Sequence, residues 1–227
     1  MAAGIRPAGS GGAYEPTDRT VPTRSRERAA YDRESVHSML DEAYVCHLGF
    51  VRDGAPVVLP TLFARVEDRL YVHGSTGSRP LRMAGEPDPG LAVCLTVTHV
   101  DGLVLARSAF HHSINYRSVV VHGTAHQVTD PDEKRSALDA LVDHVIPGRS
   151  RDSRPANAKE LAATAVLRLD LNEVSAKVRT GDPDDEPEDL TLPYWTGVVP
   201  LVTQHGTPIP APDLDASIPV PGYLATR

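Results

Sequence analysis

The tetrapeptide Arg52-Asp53-Gly54-Ala55 stands between two apolar runs, 44–51 and 56–66. Asp-Gly in that setting is the strongest short-range hairpin signal, because a tight two-residue turn needs positive φ at its central positions. The same rhythm continues downstream. Residues 70–74 read as a third strand after a turn at Glu67-Asp68-Arg69. The runs 91–100 and 103–110, joined by Asp101-Gly102, read as a second Asp-Gly hairpin. Residues 116–129 read as a strand kinked at Gly123, and 165–171 as the last strand. Six or seven short strands with tight turns predict an antiparallel sheet or small barrel rather than a doubly wound fold.

Two helices frame these strands. Val36, Met39, Leu40 and Ala43 fall on one helical face, with Asp32 placed to cap it. Asp130-Pro131-Asp132-Glu133 supplies a cap, a proline at the first helical position and an acid at the third. Leu138, Leu141, Val142 and Val145 then give an apolar stripe. Shorter helices are expected near 78–85 and 157–163. The fold class is therefore mainly β with flanking helices packed outside the sheet.

The chain divides into three stretches. Residues 1–30, rich in Gly, Pro, Thr and Arg, are expected to form a flexible N-terminal arm, extended beyond its first dozen residues. Residues 31–178 hold the periodic elements, and 41% hydrophobic residues suffice for a sizeable core. Residues 179–227 form a Pro-rich acidic tail: 182–189 carry six acids and two prolines, so no core is expected there. The tail has one apolar island, 192–201, containing the single Trp. That island needs a surface, either the barrel of its own chain or a partner subunit.

Charge and composition narrow the function. A net charge of −7 argues against nucleic-acid binding. No run reaches the roughly 18 apolar residues of a membrane helix, and no signal peptide is visible, so a cytoplasmic protein is expected. Cys46 and Cys94, each inside an apolar run, read as buried free thiols. No metal site is expected: His122 and His126 lie in a strand pattern, where residues four apart are roughly 13 Å apart. No Gly-x-Ser-x-Gly elbow supports serine hydrolysis.

Two segments are suited to chemistry. His73-Gly74-Ser75-Thr76-Gly77-Ser78-Arg79 follows a strand and opens a short helix. Small residues let the backbone approach an anion, Ser75 and Ser78 can donate, and Arg79 can grip phosphate in a fork. Because only three of the 23 basic residues are Lys, a lone Arg is weaker evidence here than usual. The other segment, Ser113-Ile114-Asn115-Tyr116-Arg117-Ser118, sets polar side chains ahead of a Val-Val-Val strand, as at the rim of a barrel.

Taken in order, several motifs resemble the pyridoxamine 5′-phosphate oxidase-like superfamily, in its flavin-nucleotide-binding branch with the nitroimidazole-resistance proteins. They are 28–32 with Leu40-Asp41, 54–61, 70–75 with 77–79, Arg107-Ser108 with 115–123, 133–135 and 194–201. The resemblance implies an antiparallel Greek-key split barrel that dimerises, with FMN in the groove between subunits. FAD, a deazaflavin or haem stand as alternatives.

By the same resemblance the 75–79 segment takes the flavin phosphate, and Pro60 and Thr61 lie along the isoalloxazine ring. Asn115, Tyr116, Arg117 and Ser118 lie near the cofactor, Trp195 covers it, and His73 is the flavin-proximal histidine and catalytic candidate. The implied activity is oxidoreduction of a small electron acceptor, a nitro-compound or quinone, with a reductant such as NAD(P)H. A flavin-storage protein and a haem-binding or haem-degrading barrel are the competing readings. Pro80 stands where the oxidases carry Lys, and their Arg-rich C-terminal segment is absent, which argues against pyridoxamine phosphate oxidation itself.

Overall fold

The computed structural model describes residues 12–78, 84 and 90–225. Among these residues nine strands run antiparallel: β1 Ala29–Ala30, β2 Val45–Arg52, β3 Ala55–Val66, β4 Arg69–Ser75, β5 Leu91–Leu105, β6 Ser113–Gln127, β7 Thr164–Asp170, β8 Glu173–Arg179 and β9 Gly197–Pro200. Six of them close a ring in the order β6-β7-β4-β3-β2-β5, because β5 also pairs with β6. The ring is split along β6. Its far edge pairs with β8 over Tyr116–His122 and with β7 only at His126 and Gln127. β8 carries β1 beyond it, and β9 extends the other side on β5.

Strand alternation fills the ring. Phe63, Leu70, Leu95, Val97, Val119, Val121, Leu167 and Val174 point inward and are essentially inaccessible. Gly123 stands where β6 passes from β8 to β7, and a Cβ there would lie 2.7 Å from Leu169 Cδ1. The glycine is thus required by close approach at the split, without positive φ.

The Asp53-Gly54 hairpin forms as expected, with φ of 51° and 77° and Arg52 opposite Ala55. Asp101-Gly102 does not turn the chain. β5 runs straight through it, with a bulge between Val100 and Gly102. The Asp101 carboxylate is held by Arg117, and a Cβ at Gly102 would meet Val198 Cγ1 at 3.0 Å. Packing beneath β9 sets this glycine, so the expected strand 103–110 is the second half of β5 followed by a short helical turn at Ala109–His111.

The α-helices flank the ring. α1 (Arg33–Glu42) is capped by Asp32, whose carboxylate accepts from Ser35 N at 2.8 Å, and it buries Val36, Met39 and Leu40. His99 Nε2–H donates to the Met39 carbonyl at 2.9 Å, satisfying an acceptor near its C-terminal end. α2 (Pro131–Val145) starts at the Asp130 cap. It buries Ala137 over Tyr71, Val128 and Val166, with Leu138 at the margin, and buries Leu141 as well. Val142 and Val145 are each 38% exposed, so the buried stripe is narrower than the sequence period implies. α3 (Ala158–Ala163) carries a capping box, and α4 (Gly222–Ala225) ends the described chain. Of the expected 78–85 helix, only Ser78 and Ala84 are among the described residues.

Both ends of the chain are fastened to the ring. Where a flexible arm is expected, Tyr14 is buried in the main core, Ala13 bridges Asp32, and β1 adds to β8. The first 11 residues lie outside the described set. In the tail, the island contributes β9, with Gly197–Pro200 laddered to Gly102–Leu105.

Candidate functional site

Alternation along β4 decides where the expected residues point. Leu70 and Val72 enter the core. Tyr71 and His73 take the outer face, Tyr71 covered by α2 and His73 exposed beyond the helix. The protein around the His73 imidazole desolvates it and lowers its pKa below 6.5, so the ring is neutral at pH 7. Neighbouring β3 pairs with β4 only as far as Phe63–Val72. Beyond that point β3 carries Pro60 and Thr61, paired on its other side with His47 and Cys46. Because Cys46 and Leu48 face the core, His47 and Pro60 share the outer face with His73.

The turn after β4 is tied internally. Thr76 N donates to Ala163 O at 3.0 Å, Gly77 N to Ser75 Oγ at 3.2 Å, and Ser78 N to Ser75 O at 2.8 Å. These amides are engaged within the chain and do not form the open anion cradle that the sequence suggests. Among the described residues the Thr76 and Ser78 hydroxyls have no partner, so the donors offered to a ligand here are side chains. Arg79, the expected phosphate residue, lies outside the described residues.

Asn115–Ser118 are elsewhere. Three strands, β3, β2 and β5, separate β6 from β4 around the ring. By way of β7 these residues lie eight to eleven positions from His126, roughly 26–36 Å along the strand. Their side chains are committed to the fold. Asn115 donates to Gly181 O at 3.1 Å and accepts from Arg179. Arg117 is clamped by Glu42 and Asp101, its three guanidinium nitrogens all engaged. Ser118 Oγ donates to Lys177 O at 3.3 Å. Tyr116 is half-buried opposite Val100 and Arg179. Within one chain the structure therefore sets Pro60, His73 and Ser75 on one outer face beside Ser78, turns Thr61 with its partner Cys46 to the inner face, and holds Asn115–Ser118 at another place.

Trp195 belongs with the second group. It is 67% exposed, and its ring lies over Gly197, opposite Leu105 at the end of β5. Beside it is a cavity of about 320 Å³ lined by Arg107, Asp182, Asp184, Asp185, Thr196 and Gly197, among others. Arg107 and Asp185 cross it as an ion pair at 2.8 Å. Arg107 Nε and Ser108 Oγ are buried with no partner among the described residues. Sequence reading marked Arg107-Ser108 only as part of a motif; its fixation by a carboxylate 78 residues away has no local signal. The same is true of Glu133, which accepts from Tyr71 Oη at 2.9 Å instead of completing a capping box. Among the described residues no group of three His, Cys, Asp or Glu side chains is arranged to hold a metal ion, and no helix is long and apolar enough to cross a membrane.

A six-stranded antiparallel ring opened along one strand and flanked by two helices defines a split-barrel protein. A family model described as pyridoxamine 5′-phosphate oxidase matches residues 32–178, and the chain belongs to that family. The flavocytochrome Anf3 from Azotobacter vinelandii is 40% identical over 93% of this chain and 97% of its own, with a TM-score of 0.86. A FAD- and haem-binding protein from Mycobacterium smegmatis is 44% identical over 87% of this chain and 96% of its own, with a TM-score of 0.82. A candidate 5-nitroimidazole antibiotic resistance protein from Bacteroides thetaiotaomicron shares the fold (22% identity, 66% of this chain and 86% of its own, TM-score 0.54). No functionally curated protein matches the chain.

Proposed function

We propose that this chain is a flavin-dependent oxidoreductase acting on a small electron acceptor, and that it works as a homodimer. The observation that carries the reading is the exposed, neutral His73 on the same outer face as Pro60, next to the Thr76 and Ser78 hydroxyls. The residues present fit a flavin. Pro60 offers a flat apolar ledge to the ring system, the two hydroxyls face a polar chain, and Arg79 is placed by sequence to take phosphate.

When bound, the flavin would supply the electron-transfer chemistry. His73 orients and polarises the acceptor by a hydrogen bond from its neutral imidazole, and its protonated form, an imidazolium, supplies a proton during reduction and returns to the neutral ring. A second copy supplies what one chain lacks: its exposed Trp195 stands on the opposite side of the barrel from His73.

A second reading is that haem binds as well. It is favoured by the two relatives at 40% and 44% identity, a flavocytochrome and a FAD- and haem-binding protein. Their chemistry also makes FAD the flavin to test beside FMN. His47 and His73, both exposed on one face, are the imidazoles available to an iron there. The test is the visible spectrum of the purified protein, followed by release and chromatography of the bound flavin. Two bands in the near-ultraviolet and blue support flavin, an added intense Soret band supports haem, and a featureless spectrum after reconstitution with FMN, FAD and haem overturns both readings.

A further inference from the structure

Lys134 stands in the first turn of α2, where its charge opposes the helix dipole and gains nothing for the helix. Glu133, beside it, accepts from Tyr71 on the outer face of β4, the face that carries His73 two residues on. The Lys134 ammonium donates to the Leu161 carbonyl at 2.7 Å and makes no other hydrogen bond or ion pair among the described residues. That carbonyl also accepts from Thr164 N, so it keeps a partner without the lysine. Two of the three ammonium donors are therefore unused, in a half-buried group whose charge no described carboxylate balances. The environment lacks an anion.

The last turn of α3 joins this cation to the turn that follows β4. Its Glu160, Leu161 and Ala163 carbonyls accept in order from Thr164 Oγ1 at 2.9 Å, from Lys134 Nζ at 2.7 Å and from Thr76 N at 3.0 Å. Carbonyl oxygens two residues apart in a helix are roughly 5 Å apart, which puts the ammonium within roughly 10 Å of the Thr76 amide. That is about one Debye length at 0.1 M salt, so its charge is felt at the turn. Without it, the negative end of α3 would repel an anion held by the Thr76 and Ser78 hydroxyls. With it, the local sign is reversed, and the same lysine braces the helix that holds the turn.

We infer that Lys134 is a positioning residue for the flavin phosphate, bracing the 76–78 turn through α3 and supplying the positive charge that draws the phosphate to it. This rests on the flavin reading above, and the experiment separates the two. The flavin-free full chain is titrated with FMN and with riboflavin, which has no phosphate, and binding is followed by flavin fluorescence. FAD replaces FMN if it is the flavin released from the purified protein. Lys134→Met keeps the apolar stem and removes the charge. The FMN dissociation constant should rise at least about tenfold in this variant, with riboflavin changed less than about twofold, and Lys134→Arg should keep FMN within about threefold of wild type. Equal losses for the two flavins, or an unchanged constant for FMN, overturn the inference. A wild-type chain that binds riboflavin as tightly as FMN also overturns it and leaves the flavin reading standing, whereas a wild-type chain that binds no flavin overturns both. If Lys134→Met does not fold, acetylation of the wild-type chain decides, since its three lysines are resolved by peptide mass spectrometry. Protection of Lys134 by FMN and not by riboflavin supports the inference, and equal acetylation with either flavin overturns it.

Discussion

The Asp185 carboxylate holds Arg107 twice, accepting from its backbone N–H and from its guanidinium, each at 2.8 Å. One acid of the 182–189 run thereby leaves solvent, its side chain only 3% exposed, while Thr196 Oγ1 approaches the oxygen held by the guanidinium, Oδ2, at 3.3 Å. The contact fixes the tail where it turns back toward β9, and with it the position of Trp195.

Asp185→Asn should therefore release the tail without unfolding the barrel, since an amide cannot accept at both oxygens and carries no charge for Arg107. Limited proteolysis followed by mass spectrometry should show cleavage within 182–196 preceding any cut in 33–179. Equal cleavage in variant and wild type would mean that β9 alone holds the tail.

Gly123→Ala tests the packing at the split. The added methyl meets Leu169 Cδ1 at 2.7 Å in a buried site, so Leu169 must change rotamer or the strands must part. Overpacking of this kind costs about 1–3 kcal/mol. Urea denaturation should show the loss as a lower midpoint with an unchanged slope, and a neutral result would show that Leu169 moves freely.

His73→Ala should leave folding intact, because the side chain stands outside both cores. Under the proposed function the bound flavin keeps its spectrum, while acceptor reduction falls by roughly 10²–10⁴-fold, the span of acid–base assistance. Stopped-flow measurement of the oxidative half-reaction separates this from weaker flavin binding. Unchanged turnover would remove His73 from the mechanism.

Acid should loosen the N-terminal attachment. Tyr14 Oη lies 2.9 Å from His37 Nε2, and burial pushes the phenol up to about 12, so it donates to a neutral imidazole. Desolvation, with Arg65 nearby, lowers the His37 pKa below 6.5. The unfolded chain then binds the proton more readily, so this stabilisation is complete above pH 6.5 and is lost as pH falls through the lower folded value. Melting temperature should drop between pH 7 and 5, and His37→Asn should flatten the slope. His73 and His122, shifted the same way, keep it from vanishing. Parallel slopes in variant and wild type would exclude His37 as a contributor.

The two Asp-Gly pairs divide what is local from what is not. At 53–54 the turn demands positive φ at both residues, a requirement carried by two adjacent side chains, and the sequence states it completely. Helix caps at Asp32 and Asp130 are equally local, and so is the alternation that sends Leu70 and Val72 inward and His73 outward. At 101–102 the same dipeptide lies inside a strand, because Arg117 holds Asp101 and β9 presses on Gly102, and neither partner is near in sequence. β8 is different: Val174, Ala176 and Val178 alternate with polar residues, so its period was legible in the sequence and only its pairing with β6 and β1 was not. The candidate residues were legible as types in two segments, whereas their separation to opposite sides of the barrel was set by ring closure. Sequence by itself determined most of the strands, the main caps and the facing of side chains, since these depend on a few neighbouring residues. Tertiary structure decided which glycine bends the chain, which arginine is already spent on a carboxylate, and which residues share a surface, since these depend on contacts made only when distant strands meet.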